Sequence, residues 1–184
     1  MNNPFEKLKQ TLTLTEVHAE TSVLVPLCFD PKTLTTSLLL TKRTHKVETH
    51  KGQISFPGGY RESQDKSLLE TALRETHEEI GVLAKDVEIA GVLSPVATRG
   101  GILISPWVAN IPLPYSFLIN HDEVEKLIFL PLSQLMQEGL KRGKVEIQGL
   151  QIDTPTIDVD GERIWGATAK IIEELRNKLL SLSS

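Results

Sequence analysis

Apolar residues recur along this chain with two different periods, and the switches between them mark out its elements. Apolar runs of strand length, rich in Val, Leu and Ile, occupy about residues 21–29, 36–42, 87–96, 102–111 and 123–130. Helical spacing replaces them at about residues 5–12, 65–80 and 167–182, and a shorter helix is expected from Pro131 to a stop near Gly139. Asp160-Gly161 stands between Thr156-Ile157-Asp158-Val159 and Glu162-Arg163-Ile164-Trp165 as a hairpin turn. Ala97-Thr98-Arg99-Gly100-Gly101 reads as a second turn, between two strands. Strands and helices intermix with few regularly spaced strand-helix-strand units, which predicts an α/β fold with a mixed sheet over a doubly wound parallel one.

Composition narrows the picture. With 184 residues and 40% hydrophobic content the chain can bury a sizeable core. No Pro/Gly/Ser-rich linker divides it, so a single domain over residues 1–184 is expected. A formal charge of -4 argues against non-specific nucleic-acid binding by the whole surface, while leaving room for a locally basic pocket. No apolar window reaches the length of a membrane span, and the first residues lack a basic segment followed by an apolar one, so a cytoplasmic protein with no membrane association is expected. Cys28 is the only cysteine and lies in an apolar run, which suggests a buried core thiol and not a nucleophile.

The chemistry concentrates in Arg74-Glu75-Thr76-His77-Glu78-Glu79-Ile80-Gly81. On a helix, Glu75, Glu78 and Glu79 fall within roughly a 100° arc, with Leu69, Ala72, Leu73, Thr76 and Ile80 clustered about 120° away. One side packs and the other concentrates negative charge. Adjacent carboxylates raise one another's proton affinity unless a cation neutralises them. Arg74, one turn before Glu78, offsets part of that charge. The rest suits a hard divalent cation such as Mg²⁺ or Mn²⁺, which takes oxygen ligands and tends to keep waters and substrate phosphates in its remaining positions. Upstream, the apolar Ser37-Leu38-Leu39-Leu40 leads into a loop holding Lys42, Arg43, His45, Lys46, His50 and Lys51. Such a loop beside an acidic metal face fits a phosphate substrate. Read without that neighbour, it is an exposed polar loop, and His45 is expected to be an ordinary surface histidine.

Gly59 to Val82 resembles the Nudix box, usually G-x5-E-x7-R-E-U-x-E-E-x-G-U with U apolar. The half from Arg74 to Val82 matches well. In the first half Asp65 replaces the glutamate and lies one residue further from Arg74 than usual, and Thr76 replaces a bulky apolar residue. A lengthened, Asp-bearing box is common in the branch of the family that hydrolyses coenzyme A. Residues 39–59, from Leu39-Leu40-Thr41 to Phe56-Pro57-Gly58-Gly59, also resemble that branch's upstream motif, with Arg43, His50, Gly52 and the Phe-Pro-Gly-Gly run in register. Thr44 stands there for Ser, Val47 for Leu and Glu48 for Arg. Further similar segments lie at Gly101 to Val108, at Glu123-Val124 with Pro131-Leu132, and at Ile164 to Ala169.

The resemblance implies a Nudix-type α/β/α sandwich and metal-dependent attack of water on a P–O–P linkage. Glu75, Glu78, Glu79 and the Gly59 carbonyl would hold the metal, and Arg74 would orient the acids. Arg43, His50, Gly52 and Phe56 would bind a small-molecule diphosphate. For coenzyme A the products are 4′-phosphopantetheine and adenosine 3′,5′-bisphosphate. ADP-ribose or another nucleoside diphosphate derivative is the alternative substrate, and a non-catalytic nucleotide sensor is the alternative of another class. Nudix enzymes differ in their general base, so either a helix glutamate or Glu123 is expected to serve. Homodimers are frequent in the family and one is among the expected assemblies. Trp107 and Trp165 lie in strand-like runs and are expected in the core. Glu79→Gln is expected to abolish turnover without disturbing the fold, on the expectation that Glu79 lies on an exposed face.

Overall fold

The computed structural model describes residues 4–15, 18–46, 52–147 and 149–182. In chain order the elements are α1 (Pro4–Thr11), β1 (Thr21–Asp30), β2 (Thr35–Arg43), β3 (Ile54–Ser55), β4 (Gly58–Tyr60), α2 (Leu68–Ile80), β5 (Glu88–Val92), β6 (Val96–Ala97), β7 (Leu103–Pro112), β8 (Val124–Pro131), α3 (Leu132–Glu138), β9 (Lys141–Ile147), β10 (Leu150–Val159), β11 (Glu162–Ile164) and α4 (Gly166–Ser181), with a 3-10 turn at Ala84–Asp86.

The side-chain alternation of the central strands divides the interior in two. Val25 and Leu27 of β1, Leu38 and Leu40 of β2, and Val108 of β7 face a core shared with α1, α3, α4 and β10. Their neighbours Leu24, Cys28, Leu39, Trp107, Ala109 and Ile111 face a second core closed by Ala72 and Ile80 of α2. Strands covered on both faces must be apolar at successive positions, which explains the near-continuous runs of the sequence. Helices therefore lie on both sides of one mixed sheet, an α/β/α sandwich. Cys28 and Trp107 are buried in the second core, and burial pushes the Cys28 thiol up to about 12.

β1 is the organising strand. It runs parallel to β7 from Thr21↔Ile104 to Phe29↔Pro112. On its other edge the first residues pair with β4, Ser22 opposite Gly59, and the last pair with β2. β2 continues past β1 to pair with β3 and, on its far side, with β8. A separate three-stranded sheet of β9, β10 and β11 is tied to the large one by Glu162, whose carboxylate accepts from Lys42 of β2 and Lys126 of β8 at 2.8 Å each.

Several boundaries differ from those the sequence predicts. α2 starts at Leu68 and not near Asp65, because Ser67 caps it: its Oγ accepts from Glu70 N, and the Glu70 carboxylate accepts from Lys66 N. Ser67-Leu68-Leu69-Glu70 is a capping-box signature that marks this start in the sequence. The predicted strand over residues 87–96 is β5 and β6, separated by an irregular segment. β3, β4 and β9 are additional strands. The helix ends as predicted at Gly81, whose left-handed φ of 73° closes a hydrogen bond to the His77 carbonyl.

Candidate active site

β1 and α2 bring the glycine pair and the acids together. Gly59 lies in β4 opposite Ser22, and the Glu75 carboxyl reaches across from α2 to cover it. A Cβ on Gly59 would stand 2.5 Å from Glu75 Oε1, so the strand position must be a glycine for the carboxylate to rest there.

Arg74 organises one end of the site. Its Nε and Nη2 donate to the two oxygens of Asp65 at 3.1 and 3.0 Å, a bidentate pair, and Nη2 also donates to the Tyr60 carbonyl. Nη1 donates to Glu75 at 2.9 Å and to Glu78 at 3.0 Å. Asp65 is buried and fully served, accepting in addition from Glu62 N and Thr71 Oγ1. The Arg74 hydrogen bonds outweigh burial and hold its carboxyl down at about 2. Asp65 thus anchors the arginine, which in turn orients two of the three helix acids.

The other end is under-paired. Glu79 is 2% exposed, which corrects the expectation of an exposed face. The helix periodicity is as predicted, but the chain of residues 113–123 crosses the end of α2 and covers it. Leu118 N donates to the Ile80 carbonyl and Asn120 N to the Glu79 carbonyl. Among the described residues the cation nearest the Glu79 carboxylate is Arg43, whose Nη1 lies 3.7 Å from Oε1, and the Gly58 N–H also donates to it. Among the same residues Glu79 Oε2 and Arg43 Nε have no hydrogen-bond partner. Burial pushes Glu79 up to about 8, the charges of Glu75 and Glu123 add to the shift, and Arg43 and the Gly58 N–H oppose it. Glu75 is also raised, first by burial and then by Glu78 and Glu123, against the pull of Arg74.

The structure thus gathers Arg43, Gly59, Arg74, Glu75, Glu78, Glu79 and Glu123. Glu123 approaches from the turn before β8, where Asn120 Nδ2 donates to it at 3.3 Å. Gly52 takes a left-handed φ of 67°, and a Cβ there would meet the His45 ring at 3.1 Å. Phe56, expected among the substrate-binding residues, is 2% exposed and packs into the first core. His50, with Val47, Glu48, Thr49 and Lys51, lies outside the described residues. Trp165 is half-buried.

The donor set suits a hard cation. Glu75 and Glu79, both with raised proton affinity and Glu79 with a buried oxygen unpartnered among the described residues, flank a backbone that carries no side chain, with Glu78 on the same helix. Among the described residues no three His, Cys, Asp or Glu side chains converge at metal-holding distance, and Glu75 and Glu78 are both held by Arg74 Nη1.

Comparison with known proteins agrees with this geometry. The NUDIX domain family model matches residues 19–147. A protein of Photorhabdus laumondii named as an uncharacterized Nudix hydrolase, NudL, is 34% identical over 90% of this chain and 88% of its own length. A protein of the same name from Pectobacterium atrosepticum is 33% identical over 89% and 85%. Among solved structures, the NUDIX domain of Shewanella oneidensis NrtR, complexed with ADP ribose, superposes with a TM-score of 0.53 at 17% identity, covering 90% of each chain. A MutT/nudix family protein from Enterococcus faecalis gives 0.56 at 17% identity over 94% of this chain and 66% of its own. These structural likenesses concern the fold.

Proposed function

Since this chain belongs to the Nudix family and is a Nudix hydrolase, acting on a nucleoside diphosphate-linked small molecule, we propose that its substrate is coenzyme A or a derivative. Hydrolysis of the diphosphate would release 4′-phosphopantetheine and adenosine 3′,5′-bisphosphate. The observation that carries this reading is the meeting of Arg43, from the coenzyme-A-like segment, with the buried Glu79 of the box. Nudix hydrolases generally need a divalent ion such as Mg²⁺ or Mn²⁺, which when bound neutralises the pyrophosphate and lowers the pKa of the attacking water.

Glu75, Glu78, Glu79 and the Gly59 carbonyl are the residues we assign to that ion. Arg74 can release Glu75 and Glu78 from Nη1 while Nε and Nη2 stay on Asp65 and Tyr60, so the acids turn toward a ligand without dislodging their organiser. Arg43, whose Nη1 lies 3.7 Å from Glu79 and whose side chain stays partly exposed, would hold a phosphate oxygen through its guanidinium. Glu123, repelled by Glu75 and Glu79, is our assignment for the group that takes the water's proton.

The test is product analysis of the purified protein with Mg²⁺ or Mn²⁺ against coenzyme A, ADP-ribose and a nucleotide panel. Metal-dependent release of adenosine 3′,5′-bisphosphate supports the proposal. Turnover of ADP-ribose or a nucleotide alone keeps the site and rejects coenzyme A.

A further inference from the structure

We propose that Thr44 is a positioning residue that sets Glu123 against the acidic helix and couples that setting to the start of the basic loop. The inference rests on the reading of the site given above. Thr44 follows Arg43 directly and is 7% exposed. Its backbone N–H donates to the Glu123 carbonyl at 2.9 Å. Its hydroxyl donates to the Asp122 carbonyl at 3.0 Å and accepts from the Lys46 N–H at 3.2 Å. One buried side chain therefore satisfies a backbone acceptor of the acid-bearing turn and a backbone donor of the basic segment.

The turn is held from its other side by α2, through Asn120 N on the Glu79 carbonyl and Leu118 N on the Ile80 carbonyl. Helix contacts fix where residues 118–120 sit. Asn120 in turn accepts from Glu123 N and Val124 N on its carbonyl and from Asp122 N on Oδ1, and Thr44 holds the Asp122 and Glu123 carbonyls from the side of β2 through its hydroxyl and its N–H. Without that hydroxyl the Asp122 carbonyl and the Lys46 N–H lose the buried partner they share, and only the exposed Lys46–Asp122 ion pair is left to join the two segments through their side chains. A resulting displacement of a proton-accepting carboxylate lowers rate more than binding.

The hydroxyl is the functional part, so Thr44→Ser should keep kcat within about twofold of the parent, while the near-isosteric Thr44→Val should lower kcat about tenfold with a smaller change in KM. A role acting through Glu123 makes the two changes non-additive: in a Glu123→Gln background Thr44→Val should cost nothing further. Amide hydrogen exchange of residues 120–124 should be faster in Thr44→Val and unchanged in Thr44→Ser. A full multiplicative loss in the double variant, or unchanged exchange at 120–124, overturns the proposal. If the parent turns over none of the diphosphates, the assignment of activity fails while the exchange comparison still decides whether Thr44 sets the turn.

Discussion

Asp65 and Glu79 are carboxylates of nearly equal burial on one catalytic scaffold, and their proton affinities are displaced in opposite directions. The Asp65 carboxyl, 6% exposed, is held down at about 2. Glu79, 2% exposed, is pushed up to about 8. Burial disfavours both charges: at Glu79 it is the largest influence, and at Asp65 the hydrogen bonds of Arg74 outweigh it. Asp65 accepts from an arginine twice, a backbone N–H and a hydroxyl. Among the described residues Glu79 has a guanidinium at 3.7 Å, a single backbone donor and an oxygen with no partner. One carboxylate is complete within the protein and serves structure. The other is incomplete, and our proposal assigns it to a metal ion.

The contrast is sharpest in Glu79→Gln. Turnover should fall by at least about a hundredfold, because a charge that faces the reacting group is lost. Stability against urea should hold or rise, because a neutral amide replaces an under-paired buried carboxylate. Turnover near the parent rate would remove Glu79 from the site. Asp65→Asn should behave in the reverse way and cost about 3 kcal/mol in urea unfolding, the usual loss on breaking a buried ion pair. A cost below about 1 kcal/mol would mean that Tyr60, Glu75 and Glu78 suffice to hold Arg74.

The smallest expected effect is the pH profile of stability with divalent ions chelated. Between the ordinary value of 4.5 and about 8, the folded protein keeps a proton on Glu79 that the unfolded chain has released, so this group makes stability fall as pH rises through that window. Asp65 acts oppositely: its contribution is present above 3.8 and lost as pH falls toward about 2. Urea midpoints across pH should therefore be flattened on the alkaline side by Glu79→Gln and on the acid side by Asp65→Asn. Parallel profiles for the two variants would break the comparison.

Much of this site is legible along the chain because it is local. The spacing of Glu75, Glu78 and Glu79 predicts their shared face, and Gly81 predicts the end of the helix. The central strands are legible too, since burial on both faces leaves unbroken apolar runs. β3 and β4 are not, because two or three residues that include Gly58 and Gly59 carry no strand signal and become strands by pairing with β2 and β1. β9 is equally obscure, since its charged residues show no apolar run, and it forms against β10. The burial of Glu79 is invisible for the same reason. It depends on Arg43, Gly58 and Glu123 being brought against α2 from separate parts of the chain. So does the part played by Thr44, whose hydroxyl bonds a carbonyl 78 residues further on.

The turn at Asp160-Gly161 has a consequence for how such chains diverge. Both residues hold positive φ, 51° and 75°, and join Val159 to Glu162 across a two-residue connection. That length decides which face of β11 carries the carboxylate that Lys42 and Lys126 share. Side chains alternate from one face to the other, so a single inserted residue that shifts the strand's register would turn Glu162 to the opposite face, away from the two lysines. The small sheet would then keep its share of the core through Ile157, Val159 and Ile164 and lose its charged clasp.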